Sequence, residues 1–342
     1  MSVRLFFWMI LGAFSVFFAE VTAGSSPFPW IEAWGLFVTF PLYGLHALFL
    51  AWVVFSPGRR ISLPTLFIAG ALFGMYEAYI TKVLFDPSWG SHGLAVGGLY
   101  LLQTLVLVLY WHPFMAFIVP LFFAEQLLAG SREILGLLPA RPRSPTGTMV
   151  AGVCIAALAG LVLSLGAAAN SASTLKAAES VLLSYVVLAV LVLTWRLAVG
   201  GTRWTLRELL PTRRQGLIIA GLLAALYLVL GTTLRSASLP RNLIPHATAL
   251  AVYAFLIALL ILNIRKASSA PAPAGQPERR NVSSVVMAIF MVVLLAATAA
   301  LAPFKNADYI AVMITWIIGC ILGAFLLAFA VRRAVLPRAP GA

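Results

Sequence analysis

The chain has 342 residues, of which 62% are hydrophobic and 10% charged, and its mean hydropathy is +1.01. Soluble domains are nearer half apolar and a quarter charged, so a water-soluble globule is excluded. Lys and Arg number 23 against 10 Asp and Glu, a formal net charge of +13. These cations alternate with apolar runs instead of lining a polar face, so they read as membrane-orientation signals and not as a nucleic-acid surface.

A bilayer core about 30 Å thick takes roughly 20 apolar residues per helix. In chain order, segments 3–23, 30–55, 63–85, 95–129, 148–167, 181–199, 215–234, 247–265, 284–303 and 309–331 meet or approach that length. They predict an all-α, polytopic transmembrane helical bundle of about ten spans. The first segment opens on Arg4 and closes on Val21-Thr22-Ala23 before Gly24, which resembles a signal peptide with a small-residue cleavage site. It is read as a retained membrane helix, because the second span follows at once. The fourth segment is too long for one straight crossing and holds Trp111-His112-Pro113. Proline removes a helical hydrogen bond, so this is read as one span kinked at Pro113 and not as two.

Orientation follows from the basic residues. With both termini cytoplasmic, all of the 23 except Lys82, Lys176, Arg235, Arg241 and Lys305 fall in inner segments or at inner helix ends. Two crossings within 95–129 would reverse that pattern for every later loop. The predicted location is the cell membrane, multi-pass, with the basic loops inside.

Composition divides the chain into a polar-site region, 1–130, a cytoplasmic loop, 131–147, and an apolar scaffold region, 148–342. A flexible linker at 266–282 interrupts the scaffold and contains the Pro/Ala-rich run SSAPAPAGQPERR. Residues 203–214 (RWTLRELLPTRR) suit either a short helix in the inner interface or a solvated basic loop. The scaffold spans carry small residues at Gly160, Gly166, Gly221, Gly231, Gly319 and Gly323, the last two a GxxxG pair for close helix packing.

Nearly everything costly to bury sits in the first four spans: Glu20, Glu32, His46, Glu77, Lys82, His112 and Glu125. An ionisable side chain in a span faces the bundle interior and is a functional hypothesis by default. At about 1.5 Å per helical residue, Glu20 and Glu32 lie at outer helix ends and Glu77 roughly 12 Å in from one. His46 and His112 then lie roughly 25 Å from the outer side, and Glu125 at the inner boundary, where solvation is expected. Glu77, His46 and His112 are therefore the predicted acid–base or proton-relay groups. Lys82, Tyr76, Tyr79, Glu32 and Trp111 are the predicted substrate contacts. Trp8, Trp30, Trp34, Trp52 and Trp89 fit the interfacial belt.

Aspartate-rich prenyl motifs, HExxH, histidine boxes, Gly-x-Ser-x-Gly and phosphate-loop or dinucleotide glycines do not occur. With Cys154 and Cys320 both in apolar runs, no disulfide framework or Cys-based metal site is expected. No metal and no cofactor are predicted, apart from a haem held by His46 and His112 as axial ligands. The leading reading is a secondary transporter or proton-linked permease in which Glu77 changes protonation. The alternative is an intramembrane enzyme on a lipid or isoprenoid, with Glu77 and a histidine as acid and base. The third is a haem-binding or structural subunit of a membrane complex. Expected partners are membrane lipids, a small-molecule or lipid substrate and a possible homo-oligomer, with no nucleic acid.

Overall fold

The computed structural model describes residues 2–56, 58, 60–90, 93–137, 145–200, 204–267 and 284–336. The predicted linker run 268–280, the arginines Arg59, Arg141, Arg143, Arg203 and Arg338, and His92 lie outside them.

The protein is an all-α helical bundle with one short hairpin. In order it comprises α1 (Val3–Val16), α2 (Phe40–Phe55), α3 (Leu63–Gly74), α4 (Tyr76–Tyr79), strands β1 (Ala95–Val96) and β2 (Leu99–Tyr100), α5 (Leu101–Thr104) and α6 (Val119–Leu128). There follow α7 (Pro145–Asn170), α8 (Thr174–Val199), α9 (Leu206–Leu209), α10 (Arg213–Thr233), α11 (Leu243–Arg265), α12 (Ser284–Leu301) and α13 (Lys305–Val335). Among the described residues, eight helical runs are long and apolar enough to cross a membrane. Two further apolar segments, α3–α4 and α12, are shorter helices at the third and ninth expected spans.

Among the described residues, three runs contain π-helical turns, at Phe17–Val21, Gly35–Thr39 and Leu105–Ile118. The last joins α5 to α6, so Leu101–Leu128 is one continuous span, as expected. Pro113 sits inside the π stretch. There the missing N–H is absorbed by a wider turn, a usual accompaniment of disturbed helical hydrogen bonding. The fourth segment nevertheless starts later than its apolarity suggests. Residues 95–100 form a hairpin, because Gly97 and Gly98 both take positive φ (56° and 81°) as a two-residue turn requires. The turn also has no room for side chains: a Cβ on Gly98 would lie 2.2 Å from Cγ of Pro245 in α11.

The chain forms two compact units. The first contains residues 1–44, 119–209 and 275–316. Its core holds Phe7, Ile10 and Leu11 of α1, all with no exposed surface. Trp195 of α8 lies against the rings of Phe6 and Phe7, and its indole N–H donates to the Leu128 carbonyl at 3.1 Å. The helix pair α7–α12 closes on Gly160, where a Cβ would stand 2.9 Å from the Phe290 carbonyl oxygen. Between residue 204 and the start of α10 at Arg213 the chain forms the single turn α9, whose Leu206 and Leu209 are fully buried. This short helix is docked on its own unit, because Arg4 and Trp8 donate to the carbonyls of Glu208 and Leu209.

The second unit contains residues 45–118, 210–274 and 317–342. Its centre is the packing of α3 against the π-helical stretch. Gly70 and Gly74, one helical turn apart, set the approach: a Cβ on either would lie 2.4 Å from Pro113 Cα or the Leu107 carbonyl oxygen. On α13 the predicted Gly319–Gly323 pair meets the same stretch, Gly319 under the Tyr110 ring and Gly323 against the Leu109 carbonyl. Small residues on two helices thus admit the wide π turn between them.

Candidate functional site

The third apolar segment does not continue as one helix to residue 85. Ser62 caps α3 by accepting from the Thr65 N–H, the helix ends at Gly74, and only one further turn, α4, forms before the chain becomes irregular. Lys82 takes a left-handed conformation (φ 61°), which a side chain other than glycine adopts only when the surroundings hold it there. The expectation that Glu77 and Lys82 lie along one helix is therefore corrected. The break next to Gly74 turns Tyr76 and Glu77 inward instead.

Glu77 is buried, and its Oε1 lies 3.5 Å from Nε2 of His112, which is 1% exposed. Its other oxygen accepts from the Thr81 hydroxyl. The Tyr76 hydroxyl lies 3.3 Å from the same His112 nitrogen, while His112 Nδ1 lies 3.1 Å from the Leu107 carbonyl oxygen. A carbonyl can only accept, so the Nδ1 contact places a proton on Nδ1. In neutral His112 the Nε2 lone pair then faces Glu77 and Tyr76. A second proton can reside on either side of the Glu77–His112 contact.

His46 of α2 stacks on Phe73 (4.7 Å, 11° between planes), and Phe73 also touches His112 at 5.5 Å. Tyr76 contacts both imidazoles, at 5.4 and 5.1 Å. The space between the two histidines is filled by Phe73 and Tyr76, which does not fit a haem between them. Among the described residues no three of His, Cys, Asp and Glu converge as a metal site.

Two helices of the predicted scaffold complete the cluster. His46 Nε2 lies 3.2 Å from the Tyr227 hydroxyl of α10, which lies 3.4 Å from the Tyr253 hydroxyl of α11. Tyr253 donates to the Met75 carbonyl at 2.6 Å, at the break between α3 and α4. A phenol has one proton and a carbonyl accepts only. The assignment that satisfies all three contacts runs one way: His46 N–H to Tyr227, Tyr227 to Tyr253, and Tyr253 to Met75. The row ends on the Met75 carbonyl, which only accepts, so it straps the break between α3 and α4.

Of the remaining predicted contacts, Tyr79 stays at the edge of the cluster, its ring stacked on Tyr253 at 6.3 Å. Tyr79 stacks on His246 (5.9 Å, 17°), and its hydroxyl lies 3.4 Å from His246 Nδ1. His246, expected outside the spans, lies in the first turn of α11. Lys82 Nζ donates to the carbonyls of Ile80, Leu230 (3.1 Å) and Leu234, the last two at the C-terminal end of α10. A cation there is favoured by the helix dipole, so Lys82 ties the irregular segment to α10. Arg235 binds Asp86 at 2.9 Å and the Thr81 carbonyl at 3.0 Å, which fixes the other side of the same segment. Trp111 meets the Tyr110 ring edge-on. Glu32 belongs to the first unit, where it is exposed.

Two further acids of the first unit have local partners. Glu20 accepts from Tyr43 and Ser25, at 2.5 and 2.6 Å. Glu125 is fully buried, not solvated as expected, because the chain folds back over it: Ser131 Oγ and the N–H groups of Glu133 and Ile134 donate to it at 2.9, 2.6 and 3.0 Å.

Sequence reasoning missed Tyr227, Tyr253, His246 and Phe73. The available signal was a single tyrosine within each of two largely aliphatic helices, since a buried phenol needs a hydrogen-bond partner.

Residues 9–338 match a family described as an uncharacterized membrane protein family. An uncharacterized protein of Archaeoglobus fulgidus is 42% identical over 158 residues, which is 46% of this chain and 50% of that protein. The matched region thus spans about half the length of that curated relative. No solved structure matches the chain.

Proposed function

The chain belongs to this membrane protein family, and from that premise we propose that it is a proton-linked secondary transporter whose coupling proton is held by Glu77 and His112. The observation that carries the reading is the buried contact of Glu77 Oε1 with His112 Nε2, whose other nitrogen is pinned to Leu107.

With one proton between them, the pair is either two neutral groups or a carboxylate matched by an imidazolium. Removing that proton leaves a carboxylate beside a neutral imidazole in an apolar bundle, which is costly unless the structure or its occupant changes. The element that bears Glu77 is suited to change. It is a single helical turn between the break at Met75 and the irregular segment after Tyr79. Broken helices beside a buried acid are a common device of transporters, because irregular backbone at membrane depth is tolerated where it lines a site. The Tyr76 hydroxyl, 3.3 Å from Nε2 of His112, lies within reach of the shared proton. Tyr253 and Tyr227 hold the break in register, and Lys82 and Arg235 anchor the far end of the segment.

The test is charge displacement after a pH jump, recorded from proteoliposomes on a solid-supported membrane. The wild-type protein should give a pH-dependent transient that is lost in Glu77→Gln and reduced in His112→Gln. An unchanged transient in folded Glu77→Gln overturns the assignment. A vesicle lipid consumed by the wild type and spared by Glu77→Gln, without charge displacement, replaces transport by the enzyme reading.

A further inference from the structure

A groove of about 730 Å³ runs along α13 in the second unit. Phe255 of α11 and Ala324, Leu327, Ala328 and Val331 of α13 line it, and Arg332 stands at one end. Ala324 and Ala328, one turn apart on the same face, make the channel by leaving out side chain. From Ala324 to Leu336 it covers roughly 18 Å at 1.5 Å per residue, the order of length of one extended acyl chain.

The charged end is where α11 and α13 both finish. Asn263 donates to the Ala330 carbonyl at 3.1 Å and Lys266 to the Leu336 carbonyl at 2.6 Å, so the two helices run in the same direction and end level. Lys266 and Arg332 both stand near this end. In sequence, the side-chain carboxylates of this unit are Glu77 and Asp86. The first faces His112 and the second Arg235, both far along the chain from this end. The unit therefore presents an apolar, chain-sized groove with Arg332 on its lining and Lys266 tied to Leu336 at its end.

We infer that this groove binds an anionic membrane phospholipid, with one acyl chain along α13 and the phosphate at Arg332 and Lys266. Basic pockets between membrane helices are suited to anionic headgroups, at about 1 kcal/mol per cation, which is roughly a fivefold change in affinity for each. The site is independent of the Glu77–His112 pair.

The full chain in mild detergent is offered phosphatidylglycerol and phosphatidylcholine of identical acyl composition, and retained lipid is read by native mass spectrometry. Phosphatidylglycerol adducts should dominate, and fall about fivefold for each cation removed in Arg332→Gln and Lys266→Gln. Arg241→Gln, at the opposite end of α11, should leave them unchanged, and Ala328→Phe should displace the chain with every cation in place. Equal retention of the two lipids overturns the site, as does an equal loss in Arg241→Gln. If Ala328→Phe does not survive extraction, excess glycerol phosphate tests the same half of the claim. Failure of this chainless competitor to displace the lipid supports a bound acyl chain, and full displacement overturns it.

Discussion

Glu77 and Glu125 are both carboxylates carried into apolar surroundings, one in each compact unit, and their partners make them different objects. Glu125 accepts from two backbone N–H groups and a hydroxyl, all supplied by the loop that follows it. Nothing in that set but the hydroxyl can change its role, so the carboxylate is a clamp for the loop. Glu77 faces an imidazole whose near nitrogen can give or take a proton. Burial is common to both; what separates them is an imidazole against Glu77 and main-chain N–H groups against Glu125.

The comparison breaks most visibly at Glu125. Glu125→Ala leaves the buried N–H groups of Glu133 and Ile134 without their acceptor, at about 1–3 kcal/mol each. A loss of about 3 kcal/mol or more is expected in thermal unfolding in detergent, whereas Glu77→Gln should unfold near the wild-type temperature and lose its pH-jump transient. Equal destabilisation by both would erase the distinction.

Next in size is Gly70→Leu. A side chain there enters the space of Pro113 and overpacks α3 against the π-helical stretch, at about 1–3 kcal/mol. It should also weaken the transient, because His112 neighbours Pro113 and the pair would be spread with both members present. A full transient in a destabilised variant would show that the Glu77–His112 distance does not matter.

Tyr253→Phe removes the donor to Met75 and leaves that carbonyl its bond from the Ala78 N–H. The expected cost is about 0.5–1.5 kcal/mol, with the transient retained, since the strap ends on an acceptor. Loss of the transient would make the tyrosine row part of the proton path.

The smallest effect lies at the basic loop. Hydrogen bonds from the main-chain N–H and hydroxyl of Thr205 hold Glu208 below its ordinary value of 4.5. Its contribution is therefore fully present above pH 4.5 and fades as pH falls through the lower folded value. Glu208→Ala should flatten a slight acid-side drop in unfolding temperature without altering the transient at neutral pH.

Much of this was legible in the chain. The helical class, the ten apolar segments and the unity of 101–128 follow from hydropathy and charge, because in lipid each backbone group must be satisfied within its own helix. Glu77, His46 and His112 were visible as costly residues, and the structure brings all three into one unit around Phe73 and Tyr76. The division into a polar front and a bare scaffold described composition only; the compact units take helices from both halves, and α10 and α11 supply Tyr227 and Tyr253. The hairpin at 95–100 was hidden by its apolar residues, although Gly97-Gly98 is a turn signal.

The sequence by itself determined that this is a multi-pass helical membrane protein and which side chains are expensive to bury, since both depend on local apolarity and on the identity of each group. Only the tertiary structure decided their partners. Whether Glu77 meets an imidazole, Lys82 a helix end or Glu125 a row of N–H groups depends on where α3 breaks and how closely glycine lets helices approach. Those are contacts between residues far apart in sequence, and no periodicity along the chain encodes them.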